Sequence, residues 1–358
     1  MKGKLLFIVG PTASGKSDFA VKAAKLLDGE IISADSMQIY KDMNVGTAKI
    51  SKEETAGVPH HLLDFVNPKD DFSVAEYRER AVPVIDSLLG RGKTPVICGG
   101  TGLYVNAVLY PMNFSDTSKN SELRKALSEE YDEKGADFMH EKLRLIDPVS
   151  AEKIHKNDKK RIIRALEINL SHGKRDDNDV KTPCYDAVFI GLSGGTRDKL
   201  YEKINLRVEK MFENGLVDEV ENLLKSGVTF ENQSMQAIGY KEFKGLYDKT
   251  ASVDDVKELI KKNTRNYAKR QLTWFRQYDF IKWFDCADEN MLNIQNIDDF
   301  IAKSEEKCKK QFEKIDKIAL YNQEKVLKAF QKNEVQARHF NGTTGYGYDD
   351  IGRDTLNR

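Results

Sequence analysis

The chain has 358 residues, 40% of them apolar, and its 57 basic side chains are balanced by 57 acidic ones. That length exceeds one average domain and supports a sizeable core, while the charge balance excludes binding to nucleic acid through overall basicity; such a surface has to come from local segregation of charge. Cys98, Cys184, Cys286 and Cys308 are far apart, which excludes finger-type zinc spacing and points to reduced thiols in a cytoplasmic protein.

The first element is the apolar run Leu5 to Val9, read as a buried strand. It is too short for a secretory signal, no later stretch reaches membrane-spanning length, and no membrane partner is expected. Gly10, Pro11, Thr12, Ala13, Ser14, Gly15, Lys16 and Ser17 follow it directly, and Phe19, Ala20, Ala23, Ala24, Leu26 and Leu27 then recur at helical spacing. Strand, glycine turn and helix N-terminus together make a phosphate-binding loop: backbone amides and the helix dipole face an anion, Lys16 supplies a cation, and the Ser17 hydroxyl suits Mg2+. Nucleoside triphosphates are the usual guests, but any diphosphate satisfies the same donors.

A second strand, Glu30 to Ala34, ends in Asp35-Ser36-Met37-Gln38-Ile39-Tyr40. Ligands of open α/β sheets bind beyond the carboxyl ends of the strands, so Asp35 should stand beside the phosphate loop as a general base or a water-mediated magnesium ligand; the alternative is a helix N-cap. Gly46 to Lys49 and Gly57 to Asp64 read as irregular, with His60 and His61 hydrogen-bonding to shape a loop rather than binding metal. A helix starts at Phe72, and a third strand, Pro95 to Cys98, runs into Gly99-Gly100-Thr101-Gly102, whose glycines admit close approach of a ligand.

From about Phe114 to Tyr185 the pattern changes to amphipathic helices near 121–131, 136–145 and 158–170, which reads as an all-helical inserted subdomain (114–185) between two parts of a parallel-sheet core, 1–113 and 186–315. Arg124, Lys159, Lys160, Arg161 and Arg164 cluster there, either as a solvated face or for nucleic-acid phosphates. Gly173 to Thr182 is expected to be a flexible return loop. A strand at Ala187 to Leu192 is followed by helices over Arg197 to Leu224, from Gln236 onward, and from Val253 to about Tyr278. Arg207 lies where its guanidinium could reach a diphosphate. The last helix interleaves cations with Tyr267, Trp274 and Phe275, a mixture suited to single-stranded RNA, though the aromatics read mainly as its buried face.

GPTASGKS (10–17), DSMQIY (35–40), GTAK (46–49), GVPHHLLD (57–64), FSVAEY (72–77), GGTGLY (99–104), NDKKRIIRALE (157–167), QAIGYKE (236–242) and NYAKRQLTWFR (266–276) together resemble the bacterial tRNA dimethylallyltransferases, in order and over residues 1 to about 315. The resemblance implies a P-loop NTPase-like α/β fold whose loop holds a diphosphate leaving group, with Mg2+ as cofactor and tRNA and dimethylallyl diphosphate as partners. It implies transfer of the dimethylallyl group to N6 of the adenosine immediately 3′ of the anticodon, in tRNAs reading codons that begin with U. Asp35 matches the family's general base; on this resemblance Lys16 and Arg207 would steady the diphosphate, Thr101 matches a residue that contacts the target nucleotide, and Ser36, Met37 and Gln38 would grip its base. Arg124, Lys160, Arg161, Ile162, Ile163 and Arg164 match positions that face tRNA. A monomer is expected. Ser17 stands where Thr is commoner, Lys203 where Arg is, and the loop from Arg175 to Asp179 departs from the family pattern. Residues 316–358 form a separate tail, of which 322–358 resemble the start of a methionine-lyase-like pyridoxal-phosphate protein and read as a truncated, inactive, partly disordered fusion. A P-loop kinase of small metabolites, a prenyltransferase acting on free adenine nucleotide, and a non-catalytic RNA-binding protein are the competing readings.

Overall fold

The computed structural model describes residues 4–111, 121–172 and 183–285, all within one compact unit spanning 1–287. The return loop at 173–182 and the tail at 316–358 lie outside the described residues. A six-stranded parallel sheet forms the centre: β1 (Lys4–Val9), β2 (Gly29–Ser33), β3 (His60–His61), β4 (Thr94–Gly99), β5 (Asp186–Leu192) and β6 (Lys282–Phe284), in the order β3-β2-β4-β1-β5-β6. β1, with Leu5 to Val9 all buried, has neighbours on both edges, which is why it reads as an unbroken apolar run rather than an alternating one. Its Phe7 stacks on Phe189 of β5 with ring centroids 4.3 Å apart; burying each such side chain contributes about 1.5–3 kcal/mol.

Around the sheet run α1 (Lys16–Leu26), α2 (Val74–Gly90) and α3 (Gly102–Leu109). α2 opens with a capping box in which Ser73 and Glu76 satisfy each other's backbone N–H groups. Inside the fold, Tyr77 of α2 donates to the Ser33 carbonyl at 3.0 Å and stacks on Tyr104 of α3 with centroids 4.0 Å apart. The FSVAEY and GGTGLY segments therefore meet as a buried ring pair beneath the end of β2.

Next come α4 (Ser121–Ile146), α5 (Pro148–Lys153) and α6 (Lys159–His172). α4 is interrupted at Gly135, where φ is +82°, which separates the two helices read from the sequence near 121–131 and 136–145. These helices enclose a small core of their own, built from Leu127, Met139, Leu143, Ala151, Ile162, Ile163 and Leu166. Ile162 and Ile163 are 0% and 6% exposed, so their side chains pack inward. That corrects the expectation that they face tRNA: at helical spacing they occupy the apolar stripe, and the flanking cations occupy the outer face.

After β5 the expected single helix from Arg197 to Leu224 divides at Asn214-Gly215 into α7 (Arg197–Glu213) and α8 (Leu216–Lys225), because Gly215 takes φ +87° and caps the second helix. From Gln236 onward the structure has 3₁₀ turns at Ser234–Gln236 and Lys241–Phe243 and a one-turn α9 (Lys244–Tyr247) instead of a regular helix; Gly239, at φ +100°, breaks the path. α10 (Val253–Arg276) follows the periodicity as read. Two strands were not read from the sequence, β3 and β6, both short and both on sheet edges.

Candidate functional site at the strand ends

The phosphate loop leaves β1 and enters α1 through Gly15, at φ +85°. A side chain at Gly10 would sit 2.3 Å from the Leu192 carbonyl oxygen of the neighbouring strand, so only glycine fits there. Within the loop the Ser14 hydroxyl is buried and has no hydrogen-bond partner among the described residues, while Lys16 Nζ reaches the Pro11 carbonyl. Arg207, from α7, donates to Thr12 Oγ1 at 3.0 Å across 195 residues of sequence. Burial lowers the Arg207 pKa against the opposing pull of Asp35, Asp18 and Glu54, yet a guanidinium stays charged at neutral pH.

Thr12, Lys16, Ser17, Asp35, Ser36, Met37, Gln38 and Arg207 all line one cavity of about 330 Å³. Asp35 Oδ1 accepts from the backbone N–H groups of Met37 (2.9 Å) and Gln38 (3.4 Å), so this carboxylate does cap a turn, as the simpler reading has it. Its second oxygen takes no hydrogen bond among the described residues. Thr101 is not part of the cavity wall. Its Oγ1 accepts from the Ser36 N–H at 3.1 Å and approaches the Ser36 hydroxyl at 3.4 Å, holding the residue beside Asp35 in place. Tyr267 of α10 faces Thr101 and Gln271, and burial together with the negative charge of Asp35 raises its phenol well above the ordinary value. Cys98, in the same wall, is pushed up to about 11 by burial, with Lys16 acting the other way and Asp35 adding to it; it is a protonated thiol at neutral pH.

The turn at 99–102 does not need its glycines for ligand approach alone. A Cβ on Gly99 would lie 2.2 Å from the Ala34 carbonyl oxygen, one on Gly100 2.1 Å from the Gln271 side chain, and one on Gly102 2.0 Å from the Trp274 indole. The glycines let α10 and the end of β2 close onto the turn. Gln271, 5% exposed, accepts from the Thr12 N–H at 2.9 Å and donates to the Gly100 carbonyl at 3.0 Å. It clips the phosphate loop to the glycine turn, a role that no local pattern announces because its partners lie 259 and 171 residues away. Phe275 is buried and Trp274 packs against the core, as read for the aromatic face, whereas Tyr267 lines the cavity.

Several residues singled out in the sequence prove to be braces. Lys49 bonds the Tyr40 carbonyl and the Asp64 carboxylate, each at 2.6 Å. His60 and His61 hydrogen-bond to the Val58 carbonyl (2.8 Å) and to Glu30 (2.7 Å) while forming β3. Lys203 donates to the Gly194 carbonyl at 3.2 Å. The cations of the helical segment are not part of the cavity. Arg124 and Arg164 both bind the buried carboxylate of Glu167, at 2.7 and 2.9 Å, and Arg161 pairs with Asp158 at 3.5 Å, leaving Lys160 exposed without an ion pair among the described residues.

A family model described as IPP transferase matches residues 38–278. The chain belongs to that family. The tRNA dimethylallyltransferase of Caldanaerobacter subterraneus subsp. tengcongensis is 51% identical over 291 residues, 80% of this chain and 92% of that one; that of Alkaliphilus oremlandii is 45% identical over 308 residues, 85% and 97%. Among solved structures, the tRNA isopentenylpyrophosphate transferase of Bacillus halodurans superposes with TM-score 0.65 at 44% identity, covering 86% of this chain and 99% of that one. A eukaryotic dimethylallyltransferase described as acting on tRNA gives TM-score 0.72 at 29% identity over 84% and 80%. IPP transferase membership accounts for the P-loop-like sheet and for the order of the motifs along it. A methionine gamma-lyase model also matches, at residues 297–358, outside the described residues.

Proposed function

We propose that this chain transfers a dimethylallyl group from dimethylallyl diphosphate to the exocyclic N6 of the adenosine immediately 3′ of the anticodon of tRNAs reading codons that begin with U. The observation that carries this reading is the convergence, in one cavity, of a phosphate loop with a carboxylate oxygen of Asp35 that is unpaired among the described residues. An exocyclic amine is a poor nucleophile, because its lone pair is delocalised into the ring, and it gains from a positioned proton acceptor. The N6–C bond forms as the allylic C–O bond breaks; the amine proton passes to Asp35, and the electron pair leaves with the diphosphate. The loop amides, Lys16 and Arg207 stabilise the charge growing on the leaving group.

Oxygen donors suit Mg2+: Ser17, exposed at the first turn of α1, would hold the ion with diphosphate oxygens, and Asp35 lies in the same wall to act through water. Bound there, the ion would neutralise diphosphate charge. Ser36, Met37 and Gln38 take the flipped adenine, while the helical segment meets tRNA phosphates through Lys160, Arg161, Arg164 and Arg124. We place the inserted domain at 114–185 on the same grounds.

The test is mass spectrometry of nucleosides from an anticodon stem-loop incubated with protein, Mg2+ and dimethylallyl diphosphate, with AMP as a parallel acceptor and ATP as a parallel donor. Dimethylallyl-adenosine in the stem-loop alone is expected. Turnover of ATP without prenyl transfer, or modification of AMP in preference to the stem-loop, would overturn the proposal.

A further inference from the structure

Gln38 stands in the cavity wall, and its amide nitrogen donates to two carbonyls of the neighbouring loop, Thr47 and Ala48, both at 3.3 Å. An amide whose NH2 is committed in this way presents its oxygen to the remaining side. That oxygen takes no hydrogen bond among the described residues, and it can accept from a base amino group but not from a base carbonyl. The orientation of Gln38 therefore depends on where the 44–48 loop places its carbonyls.

Three successive backbone N–H groups of that loop are held by one side chain outside the cavity wall. Glu219, in the first turn of α8, accepts from the backbone N–H groups of Asn44 (2.7 Å), Val45 (2.7 Å) and Gly46 (3.0 Å), and from the hydroxyl of Tyr240 (2.6 Å). The ring of Tyr240 covers Gly46 so closely that a Cβ there would meet it at 2.5 Å. Asn44 and Val45 share Oε2, while Gly46 and Tyr240 share Oε1, so both carboxylate oxygens are fully used. Each bond has a charged acceptor and is stronger than a neutral pair.

We infer that Glu219 is a positioning residue for base discrimination: it sets the 44–48 loop, the loop sets the Gln38 amide, and the Gln38 oxygen selects an acceptor base carrying an amino group. This rests on the proposed transfer to adenosine. In Glu219→Gln, one carboxylate oxygen becomes an NH2 facing N–H or O–H donors; the loop shifts, and Gln38 can turn its nitrogen toward the base.

The experiment compares binding of two otherwise identical anticodon stem-loops, one with adenosine and one with inosine at the target position, to the wild-type protein, Glu219→Gln and Glu219→Asp. Wild type is expected to favour adenosine by at least about tenfold, the scale of one well-made base contact. Both variants should bring that ratio to within about twofold of one, with the KM for dimethylallyl diphosphate changed less than about twofold. Combining Glu219→Gln with Gln38→Ala should cost no more discrimination than Gln38→Ala alone. An unchanged ratio in whichever variant is folded, additive losses in the double variant, or equal losses for both substrates would overturn the inference. Absence of prenyl transfer by wild type would instead break the proposed function, so the two failures are separable.

Discussion

The cavity at the strand ends and the helical segment 121–172 use their polar side chains differently. At the strand ends Asp35, Glu219 and Gln271 accept from backbone N–H groups of the loops around the cavity. In the helical segment, Glu167 instead binds the guanidinium groups of Arg124 and Arg164, whose side chains are 38% and 36% exposed. One arrangement fixes backbone around a reacting centre, where preorganisation lowers a barrier. The other holds charge at a surface, where, on the proposed function, it contributes affinity for tRNA phosphates that salt screens. The two regions should therefore fail in different ways.

The largest effect is expected at Asp35. Asparagine keeps the oxygen that caps Met37 and Gln38 but is not a base, so Asp35→Asn should lower the single-turnover rate by about 10²–10⁴ and leave stem-loop affinity within about twofold. Loss of binding as well would make Asp35 a structural residue. Ile162→Ala should cost about 2–5 kcal/mol of stability in the helical core, seen as a lower unfolding temperature, with diphosphate binding at the strand ends retained. Weakened tRNA binding with no loss of stability would instead place Ile162 in contact with RNA. Gln271→Ala leaves the buried Gly100 carbonyl without its partner, at about 1–3 kcal/mol, and releases the Thr12 N–H in the cavity wall. Both the melting temperature and the transfer rate should fall; a stable variant with full rate would show that the clip is dispensable.

The smallest expected effect is on pH dependence. Burial pushes the Glu167 carboxyl up, but its bonds to Arg164 and Arg124 outweigh this and leave it below its ordinary value of 4.5. The stabilisation is therefore present above pH 4.5 and lost as pH falls through the lower, folded value. Acid unfolding followed by circular dichroism should begin below 4.5 in wild type, and Glu167→Gln should be less stable at neutral pH with a flatter acid limb.

Much of this was legible in the sequence because the signals are local. A strand, a glycine turn and a helix start announce the phosphate loop within 27 residues, and the switch to helical period marks 121–172. Asp35 follows from its place at the end of β2. What escaped depends on distant contacts: Gln271 and Glu219 act on loops 259 and 175 residues away, and the glycines at 99–102, of which Gly99 and Gly100 do line the cavity, show their second role only once α10 is packed against them. β3 and β6 have two and three residues, too few to show a period. Ile162 and Ile163 were misread because they sit inside a motif whose neighbours are cations, although their spacing alone puts them on the apolar stripe.

The division between the regions is tested most directly by measuring, on one anticodon stem-loop, the salt dependence of binding and the single-turnover transfer rate for Asp35→Asn and for the pair Lys160→Ala with Arg161→Ala. The account predicts a lost rate with an unchanged salt slope in the first. In the second it predicts a slope reduced by about one for each phosphate contact removed, with the rate at saturating stem-loop unchanged. A lost rate at saturation in the second variant, or an unchanged slope, would contradict it.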